Sequence, residues 1–368
     1  MLAGAAIAGA AVFVFRVSGE MPDFEVYWRA GVRAASAEPL YRAADGHYQF
    51  KYLPVFAVLV SPLGAIDIGT ARAIWFGASV ALLGVLLALS VRLLPARTTV
   101  TWTLVALTVV VLGKFYAREL LLGQANLIFA AASVGALLAL ARGRPAAGGA
   151  LVALSIVLKP YGALLLPWLA VRGPARATAA AGVGLAAAVL APAVLYGIDG
   201  NVALHRDWWR TVTETTAPNL LNPDNVSWLA MYTRWIGEGP AASLLALATA
   251  SGATGAAWMM WRRRREVPAP DGLEGALLLL LVPFVSPQGW DYVLLVATPA
   301  VMFVIDGRRA LPRWLRGLAF AALAAIGLTI YDVMGRDAYL AYMAMSGITL
   351  CGIVVIAALV ALRFRRAA

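Results

Sequence analysis

A chain of 368 residues that is 62% hydrophobic and only 13% charged, with a mean hydropathy of +0.79, is too apolar for a soluble globule, in which about a quarter of residues are charged. The net charge of +11 keeps nucleic-acid binding open only until the charges are placed along the chain. A single cysteine, Cys351, excludes an internal disulfide, and two isolated histidines, His47 and His205, argue against a zinc site or a Ser-His-Asp hydrolase, so no metal is expected.

The first apolar segment, 1–16, has no basic residue ahead of it and ends on Arg16, so it reads as a spanning helix rather than a signal peptide. Eleven more segments follow, near 72–94, 101–113, 119–141, 148–158, 161–171, 178–196, 240–261, 273–286, 291–305, 317–331 and 342–362. The predicted fold is an all-α polytopic membrane protein of about 12 segments, one integral membrane domain over 1–368. The stretch at 53–66, punctuated by Pro54 and Pro62, reads as an interfacial or re-entrant helix. The pairs 148–158/161–171 and 273–286/291–305 are shorter than the roughly 20 residues of a straight crossing, so each is two crossings or a hairpin penetrating from one side.

Charge sorts onto two faces. The loops at 92–100, 142–147, 172–177, 262–272 and 306–316, with the tail from 363, carry 17 Lys and Arg; against them stand Glu266, Asp271, Asp306 and, just past the fourth loop, Glu274, a net of +13 for this face. The remainder nets −2. The positive-inside rule makes the basic face cytoplasmic, with both termini on it, in the plasma (inner) membrane. Arg262–Arg265 then reads as an orientation signal at anionic headgroups, and no nucleic-acid partner is expected. The opposite face holds two long polar loops, 17–71 and 197–239, where chemistry is expected.

Six motifs offer chemistry. Asp23-Phe24-Glu25-Val26-Tyr27 follows the first segment; a carboxylate sheltered by aromatic rings can act as a general base, although by spacing alone a solvated loop with interfacial anchors is commoner. In Phe50-Lys51-Tyr52-Leu53-Pro54 the lysine either binds a lipid phosphate or, more often, snorkels. Gly123-Gln124-Ala125-Asn126 can bind sugar hydroxyls, but holding helices together is the commoner use. Lys159-Pro160-Tyr161 places a lone cation between apolar runs; an anionic lipid phosphate is favoured there over an ion pair with Asp291 or Glu119. Asn225-Val226-Ser227, in a polar loop ahead of Arg234, matches a glycan acceptor and also the kind of loop that holds sugars. Ser286-Pro287-Gln288-Gly289-Trp290-Asp291 puts a carboxylate between apolar segments, where it can pair with Arg or Lys or contact a substrate.

In this order, over about residues 20–305, the six motifs resemble the GT-C superfamily of membrane glycosyltransferases, and most of all glycosyltransferase family 87, polyprenyl-phosphate-mannose-dependent α-mannosyltransferases. The resemblance implies a GT-C-like bundle and transfer of a hexose, by default mannose, from a polyprenyl-phosphate sugar to a glycolipid or cell-envelope glycan at the extracytoplasmic side of the lipid bilayer. Asp23 corresponds to the catalytic base, while Lys159, with Lys51, would hold the donor phosphate. Tyr27, Tyr52, Gln124, Asn126, Asn225, Arg234, Trp290 and Asp291 are the implied substrate contacts. No cofactor is expected, because the lipid phosphate is its own leaving group. One carboxylate suits inverting displacement. Two departures stand out: Leu53 intervenes before Pro54 in the family's Tyr-Pro-Pro turn, and Asp291-Tyr292 stands where many relatives have histidine. The alternatives are a lipid-linked sugar transporter or flippase, for which the breaks at Pro160 and Ser286-Pro287 are suitable, a transferase for another polyprenyl-phosphate sugar such as a pentose, and a structural subunit of the cell envelope.

Overall fold

The structure, a computed structural model, describes residues 11–267 and 269–365; most of the first predicted segment lies outside these residues, as does the end of the basic tail. The described chain is helical, and among the described residues the only strand-like pairing is an isolated bridge between Asn225 and Trp290.

After a π-helical turn at Phe13–Val17 comes α1 (Pro22–Ala35). Met21 precedes it in the left-handed region with φ 63°, and Pro22, whose missing N–H costs nothing at a helix start, sets its direction. Asp23 therefore falls in the first turn. The 53–66 stretch forms α2 (Pro54–Gly64), packed flush on α1: a Cβ on Gly31 would lie 2.8 Å from the Val60 carbonyl oxygen, and one on Gly64 2.6 Å from the Val32 nitrogen. Next are α3 (Ile68–Leu93), capped by Asp67, then α4 (Thr101–Leu122) and α5 (Asn126–Ala141). The break expected at 114–118 falls instead at Gly123, whose φ of 70° ends α4. Lys114, Arg118 and Glu119 stay inside the helix because neighbouring elements supply partners for them.

From α6 (Pro145–Leu158) the chain turns at Lys159 into a 3₁₀ segment, Pro160–Leu164, and continues as α7 (Leu165–Arg172) and α8 (Ala175–Leu190). A sharp bend leads into α9 (Ala193–Thr216), followed by α10 (Trp228–Ile236) and α11 (Pro240–Arg262). The long outer loop predicted at 197–239 is thus largely helical. Then come α12 (Asp271–Val285), a 3₁₀ segment Asp291–Ala297, α13 (Thr298–Asp306), α14 (Arg313–Leu328), α15 (Tyr331–Met334), α16 (Arg336–Ala344) and α17 (Gly347–Arg365).

The first short pair turns sharply at its break, and the second folds back on itself as a hairpin. Gly162 rests on the Ser155–Ile156 backbone where α6 turns, and Gly272 at the start of α12 meets Phe303 at the end of α13. This hairpin is buried on every side from Asp271 to Phe284 and from Asp291 to Gly307, which explains why its sequence is apolar all round. By length and apolarity α3 and Gly347–Phe364 can each cross a bilayer; α8 with α9, bent by 88°, is a third if the pair counts as one span. Among the described residues helix length therefore supports fewer full crossings than twelve. Proline and glycine leave α2, α5 and α6 short, while α4 and α11 are long enough but less apolar.

The basic loops meet at one end of the molecule. Arg172 and Arg264 both reach Asp271, Arg172 at 2.6 Å, and Arg264 also reaches Glu274 at 3.2 Å. The Thr98 and Thr99 N–H groups donate to Asp306, and Arg363 donates to the carbonyls of Met260 and Arg263.

Candidate active site

At the opposite end the start of α1, the 49–52 loop, the α4–α5 break, the turn after α6, the end of α9 and the 286–293 segment enclose a cavity of about 870 Å³. Asp23, Tyr27, Lys51, Tyr52, Gln124, Lys159 and Trp290 all line it. Residues separated by more than 250 positions therefore share one chamber.

Gln124 stands at its centre. Its Nε2 donates to Asp23 Oδ2 at 2.7 Å and lies 3.3 Å from the Tyr292 hydroxyl. Its Oε1 accepts from Lys159 Nζ at 3.3 Å, and the hydroxyls of Tyr27 and Tyr52, 2.6 Å from each other, each lie 3.1 Å from it. One amide thus spans the carboxylate and the ammonium. Gly123 makes the approach possible: a Cβ there would sit 2.6 Å from the Phe24 Cβ, and the left-handed φ independently favours glycine. The Met21 N–H donates to the Leu121 carbonyl at 3.1 Å, which fixes the start of α1 to the end of α4.

Burial pushes the Asp23 carboxyl above its ordinary range, while the Gln124 hydrogen bond and the charges of Lys159, His47 and Lys51 pull it back. Lys51 is lowered by burial and partly restored by Asp23. Lys159 has neither of its anticipated partners: Asp291 is taken by Lys114 and Arg118, and Glu119 accepts from Asn126 and the Leu127 N–H. The Lys159 ammonium instead lies 4.4 Å from the Tyr52 ring centroid and makes no direct ion pair among the described residues; Glu119, and after it Asp23, act on its charge from a distance, and its place on the cavity wall leaves it open to an anion. Asp23, Lys51 and Lys159 supply a carboxylate and two cations within one aromatic-walled chamber, a set suited to taking a proton beside a bound phosphate. Among the described residues no three His, Cys, Asp or Glu side chains cluster closely enough to hold a metal ion.

Four candidate substrate contacts do not line the cavity. Asn126 is fully buried between Glu119 and Tyr161, which donates to its Oδ1 at 3.0 Å. Asn225 is a tie between loops: its Nδ2 donates to the Leu220 and Pro287 carbonyls, and its Oδ1 accepts from the Ser227 and Gly289 N–H groups. With that amide buried and engaged, Asn225 cannot serve as a glycan acceptor in this fold. Arg234 clamps the Asn222 and Asn225 carbonyls. Asp291 is 1% exposed and held by Lys114 at 3.3 Å and Arg118 at 2.9 Å, so pairing prevails over substrate contact.

Arg118, Asp224, Tyr292 and His47 line the cavity without having been singled out as site residues. Arg118 joins Asp291 to Asp224, at 2.6 Å, and packs over the Tyr292 ring. For Arg118 the available signal was a charge inside an apolar run; for His47 no local pattern marked it.

The sequence model of a family described as Glycosyltransferase family 87 matches residues 50–287, about two thirds of the chain. That span contains Lys51, Tyr52, Gln124 and Lys159, and begins after Asp23. Neither a curated protein nor a solved structure matches the chain.

Proposed function

Because the chain belongs to glycosyltransferase family 87, we propose that this membrane glycosyltransferase moves a hexose, mannose by default, from a polyprenyl-phosphate sugar to a glycolipid or cell-envelope glycan, with Asp23 as general base. The observation that carries this reading is the pairing of Asp23 with Lys159 through the single Gln124 amide in one cavity. The acceptor hydroxyl gives its proton to Asp23 while its oxygen attacks the anomeric carbon from the side opposite the phosphate. The bond from that carbon to the phosphate oxygen breaks, and the negative charge gathering on the departing polyprenyl phosphate is met by Lys159 and Lys51. With one carboxylate positioned for this role, a single inverting displacement is the simplest course. The cavity faces outward and the basic end faces the cytoplasm, as the positive-inside rule requires.

The test is transfer from radiolabelled polyprenyl-phosphate sugars (mannose, glucose and a pentose) by purified protein in nanodiscs, supplied with extracted envelope glycolipids. Labelled product from one donor, lost in Asp23→Asn, supports the proposal. Turnover retained in Asp23→Asn removes Asp23 as the base, and an active preparation that uses a nucleotide sugar instead removes the donor class.

A further inference from the structure

The helix after the sharp bend carries a surface that the transfer reaction does not use. Ile198, Val202 and Trp209 on α9 are all exposed, Ile198 at 77%, and at 3.6 residues per turn they fall within about 40° of one another. Arg206 and Arg210 emerge from the adjoining face. The third face packs on the protein: Asn201 donates to the Val189 carbonyl at 3.0 Å, and Trp208 Nε1 to the Lys51 carbonyl at 3.1 Å. An apolar stripe bearing a tryptophan, on a helix of low overall apolarity whose remaining exposed surface carries Asp199, Arg206, Asp207, Arg210 and Glu214, is the pattern of a helix lying in a membrane surface.

Two further observations select lipid as the occupant. Exposed apolar side chains also recur along the chain from Val183, Val189 and Leu190 on α8, through Val194 at the bend, to the α9 stripe. The bend itself is 88°, with Pro192 at its corner and Gly197, φ 68°, just beyond, so a helix leaving an upright α8 runs nearly parallel to the bilayer plane.

We propose that α9 lies in the leaflet at the cavity end, its Ile198–Val202–Trp209 stripe sunk to the boundary between headgroups and acyl chains. Val212, Thr215 and Thr216 on the same helix line the cavity, and Trp208 holds the Lys51 backbone, so this placement sets the cavity rim at headgroup depth. A lipid phosphate then reaches Lys51 sideways, without being lifted out of the interface.

The experiment places a nitroxide at Val202→Cys, and separately at Arg206→Cys, in a Cys351→Ser background, with the protein in lipid nanodiscs. Power saturation compares collision with oxygen, which concentrates among acyl chains, and with a water-soluble nickel chelate. The ratio should favour oxygen at 202 and nickel at 206, and Trp209→Cys should repeat the result at 202. Nickel access at both 202 and 206 would show a helix standing in water and overturn the proposal. Exclusion of both reagents from 202 would show a protein cover, such as a second copy of the chain, and overturn it equally. The measurement needs no turnover, so it succeeds or fails independently of the transferase reading.

Discussion

At the scale of single residues, burial and charge pull the Asp23 carboxyl in opposite directions, and the balance leaves it raised. A general base must be ionised, so transfer falls as pH drops through this raised pKa, and the acid limb of the kcat/KM profile should lie above the ordinary carboxylate range. Lys159→Met removes a charge that lowers Asp23, so it should push that limb to still higher pH; an unmoved limb would separate the two residues. The same variant should weaken apparent donor affinity by about 10–100-fold, the worth of one charge-assisted hydrogen bond. Asp23→Asn should instead reduce kcat by about 10²–10⁴-fold with donor KM little changed. A phosphate seated on Lys159 also cancels part of that lysine's pull on Asp23, so donor binding itself strengthens the base.

At the scale of elements, the site depends on how closely α1 approaches the α4–α5 break. Gly123→Ala adds left-handed strain of about 1–2 kcal/mol and overlaps Phe24 and Met21. It should lower the melting temperature and reduce transfer, whereas Gly77→Ala, with open space around it, should do neither. Asn225→Ala strands buried N–H and carbonyl groups in two loops at about 1–3 kcal/mol, so thermal unfolding should shift down and no glycan-dependent mass should be missing from the variant. These contrasts show where sequence patterns were informative. Lys159 stood out as a lone cation between apolar runs, whereas Asp23, Lys51 and Gln124, which pattern alone reads as a solvated loop, a snorkelling cation and helix glue, were singled out by the family resemblance. Asn225, Arg234 and Asp291 carried the same signal for another reason: a buried loop also needs polar side chains to satisfy its backbone and its charges. Residue type cannot separate these uses; only the partner can.

At the scale of the whole molecule, the distribution of charge was readable in advance and the number of crossings was not. Basic loops recognise one end regardless of how the chain runs between them, whereas a crossing depends on where proline and glycine interrupt an apolar run. Sidedness has a direct check: an impermeant thiol reagent on intact cells should label Tyr48→Cys, beside the cavity, and reach Arg142→Cys only after permeabilisation, both in a Cys351→Ser background. Labelling of 142 from outside would invert the orientation. The buried α12–α13 hairpin bears on how the chain is made. Its walls come from both sides of it in sequence, α3, α4, α5 and α11 before it, α17 after it. During synthesis it emerges into a half-built enclosure and must wait with one flank against lipid until the C-terminal helix arrives. A hairpin apolar on all faces tolerates that interval as well as the finished interior, so the composition that fills the core also safeguards its assembly.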